Sequence, residues 1–270
     1  MSKIHVNGVE LYYETAGSAD NPPLLLITGL AGYTAGWWAQ VPALSKSFYV
    51  IYYDNRGAGQ STQSPPGYTM TDLADDAAGL LEALKIESAF VFGVSMGGMI
   101  AQNLALRHPQ KVRKLALGCT TPGGALGVLA APEVLAELTN TQTSGDRRQD
   151  FYNRAWFLVG PGFAERHPDL MAKMADVSAN NPQTLMAYMG QLQAVTTHDV
   201  GERLGEITMP TLVQHGDQDR LVPPENGRIL AERIPDAHLI MYKGAGHLYM
   251  IECADAVNKD LQTFFLEEKG

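Results

Sequence analysis

A serine flanked by glycines has the clearest chemical potential in this chain of 270 residues. Ser95 lies at the centre of the stretch Gly93-Val94-Ser95-Met96-Gly97, after a short apolar run and before a helical pattern. This G-x-S-x-G spacing is typical of a nucleophilic serine on a sharp turn from strand to helix. Glycine at both outer positions removes side chains that would collide across such a turn. Ser95 is therefore the candidate nucleophile.

A serine hydroxyl is a weak nucleophile at neutral pH and needs a neighbouring base. His247, in the stretch GAGHLYMIE, follows the last predicted strand, so it is expected at the same edge of the sheet as Ser95. The six other histidines lie in predicted strands, at the ends of elements or in a helical segment, and none has this position. His247 is the predicted base.

An acid must fix the orientation of such a base, and the stretch HGDQDRLVP offers Asp217 and Asp219 after the strand predicted at 211–215. We predict Asp219, because three residues beyond Gly216 the chain has room to turn toward His247. Asp217 is interpreted as a turn residue that bonds the local backbone. The other strand end where an acid is plausible reads GCTTP and carries no carboxylate.

The negative charge that develops when a carbonyl is attacked needs backbone donors. Met96 follows the candidate nucleophile at the start of a predicted helix, so its N–H is free to serve as one donor. The loop TGLAG after the strand predicted at 24–28 supplies the second, the Leu30 N–H. The backbone N–H groups of Leu30 and Met96 form the predicted oxyanion hole.

The elements that would position these groups alternate between strands and helices. Asn7-Gly8 separates two alternating stretches and predicts a β-hairpin at the start of the chain. Continuous apolar runs predict strands covered on both faces, and helical patterns lie between them. The strands are predicted at 24–28, 48–54, 89–94, 114–118, 211–215 and 238–242, and the helices from Thr71, at 96–107, 225–233 and 254–267. This order predicts a mostly parallel, doubly wound α/β sheet.

One segment contains helical patterns but no convincing strand. It runs over 122–205, and a structureless loop of that length is implausible in a compact domain. We predict a helical cap inserted between strands 6 and 7, above the carboxyl ends of the strands. The core would then consist of residues 1–121 and 206–270.

Composition limits the partners and the compartment. The net charge is −9 (20 basic and 29 acidic residues) and no Lys/Arg cluster occurs, which disfavours nucleic acid and anionic membranes as partners. No apolar run has the length of a membrane span, and the first residues do not resemble a signal peptide. Cys119 and Cys253 form neither a disulfide framework nor a metal-spacing motif, so buried free thiols are expected. The sequence predicts a cytoplasmic protein and leaves a homo-oligomer open.

The motifs YDNRGAGQS, FGVSMGGM, HGDQDRLVP and GAGHLYMIE occur in this order at predicted strand ends, and together they resemble the α/β-hydrolase superfamily. The resemblance covers the whole chain. Within the superfamily, the chain is similar to cofactor-free enol-lactone hydrolases, acyl-homoserine-lactone hydrolases and small carboxylesterases. The resemblance implies a triad of Ser95, Asp219 and His247, and neither a metal nor an organic cofactor. Thr28-Gly29 replaces the His-Gly of many relatives, and because the backbone does the oxyanion work, the resemblance still implies an active enzyme.

The cap is rich in aromatic residues and methionine. Trp156, Met186 and Tyr188 are candidates for the substrate-facing surface, and Met-rich walls adapt to flexible apolar ligands. A substrate with an apolar acyl arm is therefore expected. Arg154 is interpreted as solvated, and no cluster of basic cap residues suggests a carboxylate clamp.

The residues predict a serine hydrolase that cleaves carboxylic esters or lactones through an acyl-enzyme. The resemblance implies N-acyl-homoserine lactones or enol-lactones as candidate substrates. A C–C bond hydrolase or a cofactor-free perhydrolase would use the same triad, so these alternatives stay open. A non-catalytic small-molecule receptor is a third alternative, which the complete triad disfavours. A haloalkane dehalogenase would require an aspartate at position 95 and is excluded.

Overall fold

The sheet has eight strands in the computed structural model, which describes residues 2–140 and 144–267. The strands are β1 (Ser2–Val6), β2 (Val9–Ala16), β3 (Pro23–Ile27), β4 (Tyr49–Tyr53), β5 (Ala89–Val94), β6 (Val112–Gly118), β7 (Thr211–Gly216) and β8 (Ala237–Tyr242). Their order in the sheet is β1-β2-β4-β3-β5-β6-β7-β8. β2 pairs antiparallel with β1 and β4, and all other neighbours are parallel. The predicted, mostly parallel α/β sheet is confirmed.

Eleven α-helices connect and cover these strands in the described part of the chain. They are α1 (Val41–Leu44), α2 (Met70–Ala83), α3 (Met96–Arg107), α4 (Pro132–Thr139), α5 (Arg147–Leu158), α6 (Phe163–Arg166), α7 (Pro168–Ala179), α8 (Leu185–Thr196), α9 (Glu225–Arg233), α10 (Tyr249–Glu252) and α11 (Ala254–Leu266). Short 3₁₀ helices add Thr34–Ala39, Pro109–Lys111 and Gly201–Glu206. Each helix predicted outside the inserted segment is present.

The hairpin predicted at the start of the chain is confirmed. Asn7 and Gly8 both have positive φ, at 45° and 78°, as the favoured two-residue hairpin turns require. Val6 pairs with Val9 directly across the turn. The turn residues thus set the register of the antiparallel edge.

The start of α2 differs from the prediction by two residues. The N-terminal cap is Thr69, not Thr71: its hydroxyl accepts the Asp72 N–H, and the Asp72 carboxylate accepts the Thr69 N–H at 2.7 Å. This reciprocal pair is a capping box, which satisfies two backbone donors at once. Thr71 forms no such reciprocal pair with a described residue, and it lies inside the first turn of α2.

Two apolar layers enclose the sheet, one on each face. Along β3, Leu25 and Ile27 join the layer under α2, α3 and α9, while Leu24 and Leu26 join the layer under α1, α10 and α11. Successive residues of a strand point to opposite faces, so a continuous apolar run is what a doubly covered strand needs. This rigid sheet holds the loops at its carboxyl edge.

The chain between β6 and β7 is helical, as predicted. It forms α4 to α8, and the described residues of 122–205 contain no strand beyond a single bridge between Gly123 and Asp199. Buried residues of α5, α6 and α7 make a separate small core, which also contacts Trp38 and Ile251 at the edge of the sheet. Within residues 2–140 and 144–267 no helix is long and apolar enough to cross a membrane.

Candidate active site

Ser95 lies on a strained turn between β5 and α3. Its backbone has φ 55° and ψ −122°, a conformation that residues other than glycine rarely adopt. A Cβ at Gly93 would lie 2.2 Å from the Gly97 carbonyl oxygen, and one at Gly97 would lie 2.1 Å from that of Ile27. The glycines two residues on either side therefore permit the turn, as the sequence indicated.

His247 and Asp219 meet at the carboxyl edge of the sheet. Asp219 follows β7, His247 follows β8, and the His247 Nδ1 lies 2.8 Å from the Asp219 Oδ2. Both residues are buried, at 5% and 4% exposure. Ser95 and His247 line the same cavity. The structure therefore brings the three predicted residues to one site.

The surroundings of Asp219 keep it ionised. Burial opposes its charge, but electrostatic attraction and hydrogen bonds from His247 and His215 outweigh burial and lower the pKa of the carboxyl. Its Oδ1 also accepts the N–H groups of Leu221 and Val222, each at 2.9 Å. Because an ionised carboxylate only accepts hydrogen bonds, the proton of neutral His247 lies on Nδ1 and Nε2 is the free base.

Asp217, the alternative acid, holds two neighbouring loops together. Its Oδ1 accepts the Gly244 N–H at 2.7 Å and the Gln218 side-chain amide at 3.2 Å. It thereby ties the loop after β7 to the loop after β8. Asp217 lies in the turn after β7, as the sequence predicted, but the backbone group that its carboxylate binds, the Gly244 N–H, is 27 residues away and not local.

The two predicted oxyanion donors lie on either side of Ser95. Met96 is the first residue of α3, and Leu30 lies in the loop after β3. A Cβ at Gly29 would lie 3.1 Å from the Ser95 Cβ, so this loop runs directly against the candidate nucleophile. Neither the Leu30 N–H nor the Met96 N–H donates to another described residue. Both are free to bind an oxyanion.

The cavity beside Ser95 has a volume of about 650 Å³. Its walls come from the loop after β3, the loop of His247, and helices α4, α5, α7 and α8. Apolar side chains that line it include Leu30, Trp38, Phe157, Leu158, Met174 and Ile251. Such a cavity encloses a ligand of the size of a drug molecule.

A family model for the alpha/beta hydrolase fold matches residues 22–253. The chain is an α/β-hydrolase. It is 31% identical over 267 residues to a protein of Azorhizobium caulinodans named "Putative carbamate hydrolase RutD", with 98% of each chain covered. The crystal structure of the enol-lactonase from Burkholderia xenovorans LB400 superposes with a TM-score of 0.88 at 31% identity, covering 98% of this chain and 100% of that one. Est816, described as an N-acyl homoserine lactone degrading enzyme, gives a TM-score of 0.83 at 28% identity, covering 97% and 100%.

Only one of the three predicted cap residues lines the cavity of this hydrolase. Tyr188 lies in the wall, and its hydroxyl donates to the Leu138 carbonyl at 2.8 Å. Trp156 and Met186 are 41% and 59% exposed and do not line the cavity, so the expectation that they face the substrate is wrong. On α5 the cavity side carries residues 147, 150, 151, 154, 157 and 158, and Trp156 lies on the opposite side because of the helical period.

Charged residues in the cavity wall were missed by the sequence analysis. Arg147 and Arg154 of α5 line the cavity together with Asp150 and Glu137, and Arg154 is half-buried, not fully solvated. The i, i+7 spacing of the two arginines places them on one face of the helix, which is a signal that the sequence contains. The neighbouring acids balance their charge, so this wall is polar without a net sign.

His215 was also underestimated. It is fully buried near the end of β7, and its Nε2 lies 2.8 Å from the Val222 carbonyl and 3.3 Å from the Asp219 Oδ2. Because a carbonyl only accepts, Nε2 carries a proton and donates to the loop that holds Asp219. His215 thus contacts the same carboxylate oxygen of Asp219 as His247 does.

Glu252 anchors the loop of His247. One carboxylate oxygen accepts the Gly246 N–H and the other accepts the Gly160 N–H, each at 2.9 Å. Burial raises the pKa of Glu252, and these two hydrogen bonds oppose that shift in part. The Leu248 N–H donates to the Leu158 carbonyl at 2.9 Å. The loop of His247 is therefore held jointly by α10 and by the chain at the end of α5.

The donor set near the triad does not suit a metal ion. Ligand atoms of Cys119, Asp219 and His247 lie within 4.8 Å of one another. However, burial raises the pKa of the Cys119 thiol well above its usual range, and metals bind the thiolate. The hydrogen bond between Asp219 and His247 also occupies the atoms that would bind the ion. Cys119 and Cys253 are both free, and Cys119 is buried as predicted, whereas Cys253 is only partly buried.

Proposed function

We propose that this α/β-hydrolase is a serine hydrolase that cleaves carboxylic esters or lactones through an acyl-enzyme. The observation that carries the proposal is that His247 lies 2.8 Å from buried Asp219 and lines the same cavity as Ser95. A free imidazole nitrogen, a serine on a strained turn and two unpaired backbone donors are the components that acyl transfer requires.

In the first half of the reaction the Ser95 Oγ attacks the substrate carbonyl carbon while the His247 Nε2 takes the hydroxyl proton. The carbonyl oxygen becomes negatively charged and accepts hydrogen bonds from the N–H groups of Leu30 and Met96. Asp219 stabilises the imidazolium without taking its proton. The C–O bond to the alcohol then breaks, and the His247 Nε2 gives its proton to the leaving oxygen.

In the second half a water molecule attacks the acyl-enzyme. The His247 Nε2 takes a proton from the water, and the same two N–H groups bind the second oxyanion. Collapse releases the acid and returns the proton to the Ser95 Oγ. When the substrate is a lactone, the leaving alcohol remains attached to the acyl group, so the product is a single hydroxy acid.

The helical segment 122–205 acts as a cap domain in this proposal, and residues 1–121 and 206–270 form the core. Phe157, Leu158 and Met174 of the segment line the cavity and would contact an apolar acyl arm. A volume of about 650 Å³ suits an acyl group of several carbons together with a lactone ring. Arg147, Arg154 and their acidic neighbours would contact the more polar end of the substrate.

The proposal is tested by acid release at constant pH from N-acyl-homoserine lactones and from simple esters of matched acyl length, with Ser95→Ala as the blank. We expect turnover of at least one series that exceeds the blank by more than about 10³-fold. Faster lactone opening assigns a lactonase, and faster ester cleavage a carboxylesterase. Rates at the level of the blank for every substrate would refute the proposal and favour a C–C hydrolase, a perhydrolase or a receptor.

Carbamate hydrolysis is a second candidate, favoured by similarity over 98% of the chain to the RutD relative, which is named for that activity. The same triad could attack a carbamate carbonyl. A small carbamate would fill little of a cavity of about 650 Å³, which makes this the weaker candidate. Ammonia release from unsubstituted alkyl carbamates, measured beside the ester and lactone series, separates the two. A kcat/KM for carbamates above that for every ester and lactone would reverse our preference.

A further inference from the structure

The loop that presents the Leu30 N–H adopts a conformation that its own residues disfavour. It is a tight turn, closed by a hydrogen bond from the Gly32 N–H to the Gly29 carbonyl at 3.0 Å. Ala31 has φ 57° in this turn. An L-residue with a Cβ prefers negative φ, because at positive φ its Cβ approaches the following carbonyl. Contacts from outside the turn must therefore help to hold it.

Two side chains of the helical segment bind both backbone polar groups of Ala31. The Ala31 N–H donates to the Gln191 Oε1 at 3.1 Å, and the Asn181 Nδ2 donates to the Ala31 carbonyl at 2.7 Å. Asn181 precedes α8 and Gln191 lies within it, so both are at least 150 residues away from Ala31 in sequence. The turn and the segment are thus joined at the residue that carries the strain.

Further hydrogen bonds fix the orientation of the Gln191 amide. Its Nε2 donates to the Arg56 carbonyl at 3.0 Å, and its Oε1 also accepts the Gln183 side-chain amide at 3.0 Å. Gln191 is fully buried and does not line the cavity. A reversed amide would place donors against donors, so the Oε1 must face Ala31.

The Asn181 amide is fixed in the same way. Its Oδ1 accepts the N–H groups of Gly59 and Gln183, at 3.3 and 3.2 Å, which leaves the Nδ2 for the Ala31 carbonyl. Asn181 is 4% exposed. Buried amides with each group partnered hold their neighbours in one arrangement.

We propose that Gln191 and Asn181 are positioning residues for the oxyanion hole. They hold Ala31 at positive φ and so aim the preceding Leu30 N–H at the carbonyl oxygen of the substrate. The helical segment then contributes to the chemical step as well as covering the substrate. The inference rests on the proposed function, because the Leu30 N–H that these residues hold in place is a donor in that reaction.

The first test removes the acceptor of the Ala31 N–H with Gln191→Met, which keeps the length of the side chain. We expect kcat to fall about 30-fold, a part of the 10²–10³-fold that loss of a whole oxyanion donor costs. KM should change less than about twofold, since Gln191 does not contact the cavity. Affinity for a trifluoromethyl ketone, whose adduct with serine carries an oxyanion, should fall by the same factor as kcat.

Gln193→Met is the matched control. Gln193 lies on the same helix and accepts a backbone N–H, that of Gly67 at 3.1 Å, far from the turn. Its kcat should stay within about twofold of the wild type. If both glutamine variants lose kcat equally, or if Gln191→Met retains kcat and ketone affinity, the inference is overturned.

A double-mutant cycle with Ala31→Gly tests the mechanism of the support. Glycine adopts positive φ without penalty, so the turn should then depend less on Gln191. The loss caused by Gln191→Met should shrink from about 30-fold to less than about fivefold in the Ala31→Gly background. Equal losses in the two backgrounds would mean that Gln191 does not act through the conformation of Ala31, and would overturn the inference.

Asn181→Asp keeps the inference testable if Gln191→Met does not fold. It retains the oxygen that accepts from Gly59 and Gln183 but places a carboxylate against the Ala31 carbonyl. We expect a loss of kcat and of ketone affinity by the same factor, and wild-type values for both would contradict the inference. Turnover that depends on Ser95 but not on Gln191 or Asn181 refutes this inference alone, whereas turnover independent of Ser95 refutes the proposed function as well.

Discussion

Asp219→Asn should abolish most activity by reversing the tautomer of His247. The Asp219 Oδ1 accepts two backbone N–H groups, from Leu221 and Val222, so the oxygen of an asparagine would stay at that position. Its amide nitrogen would then replace Oδ2, 2.8 Å from the His247 Nδ1. Because an amide N–H cannot accept, His247 must turn its own acceptor to Nδ1 and carry its proton on Nε2. An imidazole protonated on Nε2 cannot take the proton of Ser95.

The magnitude follows from this change. A reversed tautomer in a serine triad costs about 10⁴-fold in kcat, which corresponds to about 5.5 kcal/mol. Asp217→Asn is the matched control, because an asparagine oxygen can still accept the Gly244 N–H. It should reduce kcat less than about threefold, or about 0.7 kcal/mol.

The assay is kcat for the best ester or lactone substrate near pH 8, with thermal unfolding of each variant measured in parallel. The protein with Asp219→Asn should unfold cooperatively, since the asparagine oxygen can still accept the N–H groups of Leu221 and Val222. Equal losses for the two variants, or more than a tenth of the wild-type kcat in Asp219→Asn, would refute the assignment of the acid.

Three further predictions concern the supports of the site. Gly97→Ala should lower the free energy of unfolding by more than about 3 kcal/mol, because the new Cβ would lie 2.1 Å from the Ile27 carbonyl oxygen. Gly205→Ala is the control: a Cβ there meets no atom within 4 Å, so the free energy of unfolding should change by less than about 1 kcal/mol. Similar losses for the two variants in urea titrations would contradict the turn geometry. His215→Leu should lower the free energy of unfolding by about 2 kcal/mol, since the buried Val222 carbonyl loses its donor. The variant should also have a lower kcat with an unchanged KM, and a rise in KM alone would contradict the role given to His215. Glu252→Gln should lower kcat about 10-fold, because one of two backbone N–H groups loses its acceptor. Burial raises the pKa of Glu252 in the folded state, so the contribution of this group to wild-type stability increases as the pH falls through that raised pKa. The variant should lack this increase, which urea titrations at pH values down to the unfolded pKa of about 4.3 would measure.

Local sequence patterns predicted the parts of the molecule that local physics determines. Asn7-Gly8 fixed a hairpin because few residue pairs adopt its turn, and the glycines around Ser95 indicated a turn that admits no side chains. The positions of Asp219 and His247 followed from the rule that parallel strands end at one edge. In each case one element and its immediate neighbours contained the information.

The errors arose where distant parts of the chain meet. Trp156 and Met186 have the composition of pocket residues, but which face of a helix points inward depends on how the helices of the segment pack. The contacts of Gln191 and Asn181 with Ala31 join residues at least 150 positions apart, and an isolated glutamine or asparagine gives no signal of such a partner. Thr69 and Thr71 are both acceptable caps, and only the reciprocal hydrogen bond with Asp72 distinguishes them.

The most direct test of the account is to react the protein with a fluorophosphonate and locate the adduct by mass spectrometry. Such reagents phosphonylate a serine activated by a neighbouring base, with loss of fluoride. We predict a single adduct per chain on Ser95, no adduct in Ser95→Ala, and much slower labelling in His247→Ala and Asp219→Asn than in Asp217→Asn. An unlabelled wild-type protein, or an adduct on another residue, would contradict the assignment of Ser95 as the nucleophile.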